Sequence, residues 1–187
     1  MKFILIRHAQ SAPNSSSHQS EWGLTIQGEQ SCQQLAEFLH TENVSHIYSS
    51  HEKKAIQTAE YTAHHLSCSH SVFSGLEEQN NDGVGWFESA DDFRAAVQKL
   101  FEQPNQAVFG PEAASQAAGR FSTALTAISQ KHEPDATLGI VTHGRVMSSF
   151  LQSFGVVDAI PFWRSLTFPD AIVIRWPGVE VVGRQSF

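Results

Sequence analysis

The sequence predicts an α/β fold: a three-layer α/β/α sandwich on a mostly parallel central sheet with an antiparallel edge strand. Three observations carry this reading. Phe3 to Ile6 and Leu138 to Val141 are short, continuous apolar runs, the pattern of strands buried on both faces. Segments with apolar residues at helical spacing separate such runs, so strand and helix alternate along the chain. No repeat period is present, which sets aside solenoids and propellers.

Each element follows from local chemistry. Phe3 to Ile6 is the first strand, ended by Arg7. After a Ser-rich loop from Asn14 to Ser20, Cys32, Leu35, Ala36 and Leu39 fall at i, i+3, i+4 and i+7, one stripe of a helix. Val44 to Tyr48 reads as the next strand. From Glu52 to Leu66 a second helix puts Ala55, Ala59, Thr62, Ala63 and Leu66 on one face, and Ser71 to Ser74 is a candidate third strand. Asn80-Asn81-Asp82-Gly83 is strong turn chemistry, so Gly75 to Gly85 is expected to be an exposed loop.

Ser89 or Asp91 is placed to cap a helix with Phe93, Ala96, Val97, Leu100 and Phe101 inward. A further helix buries Ala117, Phe121, Ala124, Leu125 and Ile128. The strand Leu138 to Val141 then runs into Thr142-His143-Gly144, and Gly155 stops a helix spanning Val146 to Phe154. Ala171 to Trp176 and Val179 to Val182, joined at Pro177-Gly178, complete the sheet as a hairpin.

A chain of 187 residues with 41% hydrophobic residues is expected to form a single domain, residues 1–187, around a sizeable core. Its formal net charge of −7 argues against a nucleic-acid partner, which requires a basic face. A small anionic substrate stays compatible, because a few cations in a cleft outweigh the global field. The apolar run before Arg7 is too short for a signal peptide or a membrane helix. Cys32 and Cys68 form no C-x-x-C pair. Reduced thiols, a cytoplasmic location and no membrane partner are therefore expected.

In open α/β sheets ligands bind beyond the carboxyl ends of the strands. Arg7-His8 and His143 both follow strands, so the fold is expected to bring them to one rim. Neutral imidazole is nucleophilic near pH 7, and the planar guanidinium grips phosphoryl oxygens with two parallel donors. An Arg-His pair at a strand end is thus suited to attack on phosphorus.

The surrounding residues sharpen this. Arg7-His8-Ala9-Gln10-Ser11 with Asn14, Leu24-Thr25 with Gly28, Ser50 with Lys53-Lys54-Ala55-Ile56-Gln57-Thr58-Ala59, and Val141-Thr142-His143-Gly144 together resemble the histidine phosphatase superfamily, the phosphoglycerate-mutase-like proteins. The resemblance spans roughly residues 3 to 145. It implies that His8 is transiently phosphorylated, that Arg7, Asn14 and Lys54 bind the phosphate, and that His143 donates to the developing negative charge. Leu76-Glu77-Glu78 matches the segment that carries the family's proton donor, which makes Glu78 the expected acid, with Glu77 and Asp82 as alternatives. Glu112, after Gly110-Pro111, matches loosely a segment that contacts substrate.

The pattern is broken at particular places. Lys54 stands where the family most often has arginine, Glu52 where it usually has an apolar residue, and Ala9 where glycine is commoner. Lysine keeps the charge and loses the two-pronged geometry, so an altered phosphate clamp is expected.

The reading is a phosphatase hydrolysing a small phosphomonoester through phosphohistidine on His8. Its alternatives are a protein phosphohistidine phosphatase, a mutase-type phosphotransferase and a degenerate phosphate-binding protein. Neither metal nor other cofactor is expected, since His64, His65, Cys68 and His70 lack metal-site spacing. Trp86, Phe87 and Pro161-Phe162-Trp163 are candidates for shaping the pocket. The oligomeric state stays open.

Overall fold

A computed structural model describes all 187 residues. Four strands, β1 (Lys2–Arg7), β2 (His46–Ser49), β3 (Ser69–Val72) and β4 (Thr137–Thr142), run parallel. Two more, β5 (Asp170–Arg175) and β6 (Glu180–Ser186), complete a six-stranded sheet in the order β3-β2-β4-β1-β5-β6. β5 pairs antiparallel with both β1 and β6. The hairpin therefore joins the parallel set directly beside the central first strand.

The helices are α1 (Ile26–Thr41), α2 (Lys53–Leu66), α3 (Ala90–Glu102), α4 (Ala114–Ser129), α5 (Gly144–Ser153) and α6 (Ala159–Ser165). The period-two geometry of β1 divides its side chains between two cores. Phe3 and Leu5 join α4 and α5 residues on one face, including Phe121, Leu125, Val146 and Phe150. Ile4 and Ile6 join α1 and α2 residues on the other, including Leu35, Leu39, Ala55 and Ala59. These are the three expected layers. Complete burial of such aliphatic and aromatic side chains stabilises by about 1.5–3 kcal/mol each. A third cluster, built from Val97, Leu100 and Phe101 of α3 with Phe109, Ala114 and Ala159, covers one end. No helix is long and apolar enough to cross a membrane.

The structure moves several boundaries. β2 begins at His46, because Val44 is used in the turn that ends α1, donating to the Leu39 carbonyl at 3.1 Å. β3 lies at Ser69–Val72 rather than Ser71 to Ser74. It is an edge strand whose polar side chains bond across to β2, His70 to Ser49 at 2.9 Å and Ser71 to His46 at 3.1 Å, so apolar patterning does not mark it. α5 begins two residues early, immediately after His143. The short helix Gln19–Glu21 and α6 were not expected; the first starts in the Ser-rich loop, capped by His18, and the second is capped by Asp158. Ser89 caps α3 as predicted, and Gly155 follows α5 with φ +69°.

Candidate active site

The sheet order itself assembles the site. β1 and β4 are parallel neighbours in which Arg7 pairs with Thr142, so the next residues, His8 and His143, emerge together. Their ring centroids are 5.2 Å apart. On the other side of β4, Ser50 follows the end of β2, and its hydroxyl lies 2.7 Å from His143 Nε2. The Thr142 hydroxyl donates to the Leu76 carbonyl at 2.8 Å, tethering the segment Leu76-Glu77-Glu78 over the end of β4.

His8 is buried. Its Nδ1 lies 2.8 Å from the Ala9 carbonyl oxygen, an acceptor only, so that nitrogen carries the proton and Nε2 keeps the lone pair. Burial, then the neighbouring His143, Lys54 and Arg7, push its basicity well below the ordinary histidine value, which keeps the ring neutral. The Ala9 amide donates to Thr58 Oγ1 at 3.0 Å, and Thr58 in turn donates to the Lys54 carbonyl, so α2 holds the turn that carries His8.

Gly28 permits the neighbouring segment to pack: a Cβ there would lie 2.2 Å from the Gln10 carbonyl oxygen. The Thr25 hydroxyl accepts from the Gly28 amide at 3.0 Å and caps α1 at this point of approach.

Arg7 donates through one terminal nitrogen to the Leu166 carbonyl at 2.8 Å, while its Nε is buried without a protein partner. Phe168 lies over the guanidinium, 3.4 Å from Cζ to ring centroid, and its ring also neighbours His8 at 5.4 Å. Burial pushes the Arg7 guanidinium down to about 10, still cationic at neutral pH. His143 Nδ1 is likewise buried and unpartnered. Burial, followed by Lys54, lowers the basicity of His143 well below the ordinary value. Buried polar atoms without a partner are costly unless a ligand takes them up, and these two flank His8.

Lys54 is buried at the start of α2. It bonds to the Gln19 carbonyl at 2.8 Å and to Glu52 Oε2 at 2.5 Å. Glu52 occupies the N-cap position of α2 yet makes no cap bond there. Its other oxygen accepts from the Glu78 amide at 2.8 Å and lies 3.2 Å from His143 Nε2. Burial favours its neutral form, but Lys54 outweighs burial and holds the carboxyl below the usual carboxylate range.

Glu78 is brought to the same rim. Its carboxylate accepts from the Arg145 and Val146 amides at 3.1 and 2.7 Å, capping α5 from outside that helix. Burial favours the protonated acid, but Arg145 and His143 reverse this and keep Glu78 below the ordinary value. The remaining sequence candidates are not at the centre. The Asn14 amide oxygen is taken up within its own loop by Ser16, at 2.9 and 2.7 Å. Glu77 pairs with His51 and Arg120, Asp82 with His18 at 3.2 Å, and Glu112 with Arg120.

The aromatics divide. Trp86 is exposed, edge-on to Trp22, whose ring stands 5.9 Å from the Lys54 ammonium. Phe87 stacks on Phe109. Trp163 packs against Phe93 and Phe101 and lies close to Gly144, as does Arg7 Nε; a Cβ on Gly144 would be 3.3 Å from both.

Three residues at this rim were missed by sequence reasoning: Glu52 as a site residue, Arg145 and Phe168. Arg145 is buried, 3.8 Å from Glu78, with its guanidinium bonded to the Gln79 carbonyl and lying over Phe109. Its signal was its position, directly after Thr142-His143-Gly144. Arg7, Lys54 and Arg145 against Glu52 and Glu78 leave a net positive pocket before either histidine is protonated. Such a pocket can bind a phosphoryl dianion and present it to a neutral imidazole.

Comparison with known proteins agrees with this geometry. The model of the histidine phosphatase superfamily (branch 1) matches residues 3–174. Among solved structures, a mycobacterial glucosyl-3-phosphoglycerate phosphatase superposes with a TM-score of 0.76 at 18% identity, over 96% of this chain and 94% of the other. A phosphoserine phosphatase mutant from Entamoeba histolytica, in complex with phosphoserine, gives 0.76 at 16% identity, covering 98% and 95%. YhfR from Bacillus stearothermophilus gives 0.74 at 22% identity, covering 97% and 94%. At these identities the likeness is one of fold. No curated protein matches the sequence. The family match over most of the chain decides the matter: the chain belongs to the histidine phosphatase superfamily, branch 1.

Proposed function

We propose that the chain hydrolyses a small phosphomonoester through a phosphohistidine on His8. The observation that carries this reading is the His8 tautomer: Nδ1 is committed to the Ala9 carbonyl, which leaves the Nε2 lone pair beside the unpartnered Arg7 Nε and His143 Nδ1. The phosphoryl dianion is held by Arg7 and Lys54. His8 Nε2 attacks phosphorus and the ester oxygen leaves. His143 donates to the phosphoryl oxygens as charge builds.

Glu78 protonates the leaving oxygen. Its carboxyl is held ionised at rest chiefly by Arg145, against its burial, and the arriving dianion opposes that effect, so substrate binding itself favours the protonated acid. Water then attacks phosphorus and releases phosphate and His8, with Glu78 recovering a proton. Retention of positive charge at Lys54 and Arg7 is the basis for a working clamp. A cytoplasmic location belongs to the same reading, as Cys32 and Cys68 are both free thiols.

The engagement of Glu78 by α5 gives a second reading specific footing. A phosphohistidine substrate leaves as imidazole and needs less help from an acid. Turnover of an aryl phosphate, an alkyl phosphate and a phosphohistidine peptide tests both. Wild type is expected to hydrolyse the alkyl ester and Glu78→Gln to lose that activity; loss on neither the ester nor the peptide removes Glu78 from the mechanism. Wild type inactive on all three contradicts the catalytic reading.

A further inference from the structure

Two of the three departures from the family pattern touch each other. Lys54 replaces the usual arginine and Glu52 the usual apolar residue, and Lys54 Nζ lies 2.5 Å from Glu52 Oε2. Both side chains are more than nine-tenths buried, at 6% and 8% exposure, so neither is a solvated surface charge that found a partner by chance. The other oxygen of Glu52 lies 3.2 Å from His143 Nε2 and accepts from the Glu78 amide. One carboxylate thus touches a phosphate-binding cation, the second histidine and the backbone of the expected acid.

A carboxylate in an anion-binding pocket opposes the ligand's charge, and burial makes that opposition stronger. A role in the reaction cycle would offset that opposition. His143 supplies one. Its Nε2 is also 2.7 Å from the Ser50 hydroxyl, which can either donate or accept. With Ser50 alone, neutral His143 is free to place its proton on either nitrogen. The Glu52 carboxylate, 3.2 Å away, favours a proton on Nε2 by its charge although the hydrogen bond there is to Ser50, and with that proton in place Nδ1 donates to phosphate only as the imidazolium.

We propose that Glu52 is a positioning residue of the phosphoryl site, holding Lys54 through Oε2 and the protonated Nε2 of His143 through Oε1, so that His143 meets the phosphoryl group as a cation that donates from Nδ1. The inference rests on the proposed reaction at His8. His143 is faced by His8 and Arg7 from the end of β1, by Lys54 and Glu52 from the start of α2, by Glu78 from the loop after β3 and by Arg145 from α5. Cations dominate at rest, and a bound dianion shifts the balance toward the imidazolium. Glu52 lowers the affinity for phosphate while raising the charge on His143, which favours both turnover and product release.

The test uses Glu52→Gln, which keeps size and polarity, and Glu52→Leu, which restores the family's apolar character. Inorganic phosphate binding is measured by calorimetry, His143 titration in the phosphate-bound protein by NMR, and kcat against pH on an aryl phosphate. Both variants are expected to bind inorganic phosphate severalfold more tightly. They also titrate His143 about one pH unit lower and lose about tenfold or more in kcat, most strongly on the basic limb. Loss of kcat equal at every pH, with phosphate affinity unchanged or weakened and His143 titration unmoved, overturns the inference and leaves Glu52 a structural residue. Phosphate affinity and His143 titration are read without turnover. An inactive wild type would therefore defeat the proposed reaction while these two measurements still judged Glu52.

Discussion

His8 Nδ1 and the Ala9 carbonyl oxygen, 2.8 Å apart, fix the proton on the side of the ring away from its free nitrogen. Because burial and the surrounding cations also depress the basicity of His8 well below 6.5, the attacking lone pair persists into acid. After correction for the second ionisation of the substrate phosphate, kcat/KM on an aryl phosphate is expected to hold below pH 6. An acid limb near 6.5, the value of an unperturbed histidine, contradicts this account of the nucleophile.

The same depression has a consequence for folding. His8 and His143 both bind protons less readily in the folded chain than in the unfolded one, whose histidines titrate near 6.5. Their neutral forms contribute stability that is complete above that value and is lost as pH falls below it. Each site contributes up to about 1.4 kcal/mol per pH unit to the loss. Urea denaturation between pH 7.5 and 5 is expected to show falling stability, with a shallower slope in His8→Asn. Equal slopes in the two proteins would place His8 in an ordinary environment.

Phe168 lies over the Arg7 guanidinium and fixes its plane. Phe168→Ala removes a partly desolvated cation–π contact worth about 1–2 kcal/mol, so phosphate affinity is expected to weaken roughly 5- to 30-fold while the chemical step changes less. Product inhibition by inorganic phosphate reads the first and kcat the second. Unchanged inhibition means that Arg7 is positioned by the Leu166 carbonyl alone.

The fold was legible where apolar pattern and burial coincide. Phe3 to Ile6 and Leu138 to Val141 are buried throughout, and their ends carry His8 and His143 to one place. It was less legible at β3, where Ser69, His70 and Ser71 are specified by hydrogen bonds across to β2. It was also less legible at α6, a short helix that packs Trp163 against Phe93 and Phe101. In the site, Arg7, His8, Lys54, Glu78 and His143 are neighbours, because strand ends and their following turns are local features. Glu52 and Arg145 needed three dimensions: a charged residue within a motif reveals its partner only when the chain folds back on itself.

Asp170, fully buried and opposite Arg7 in the sheet, anchors the hairpin. Arg184 reaches its two oxygens at 3.0 and 2.7 Å, and Thr167 and Ser186 supply further donors. Arg184→Ala leaves that carboxylate buried without its cation and is expected to cost about 3 kcal/mol of folding stability. Urea unfolding measures the loss. A change under about 1 kcal/mol would show that the hydroxyl and amide donors suffice.

The central claim is that His8 becomes phosphorylated. Rapid quenching of enzyme with an aryl phosphate into alkali, followed by intact-mass and phosphohistidine analysis, measures this directly. Wild type is expected to carry one acid-labile, alkali-stable phosphoryl group on His8, and His8→Ala none, with turnover reduced at least about a thousandfold. Turnover by wild type with no phosphoenzyme, or a phosphoryl group retained in His8→Ala, would contradict the account.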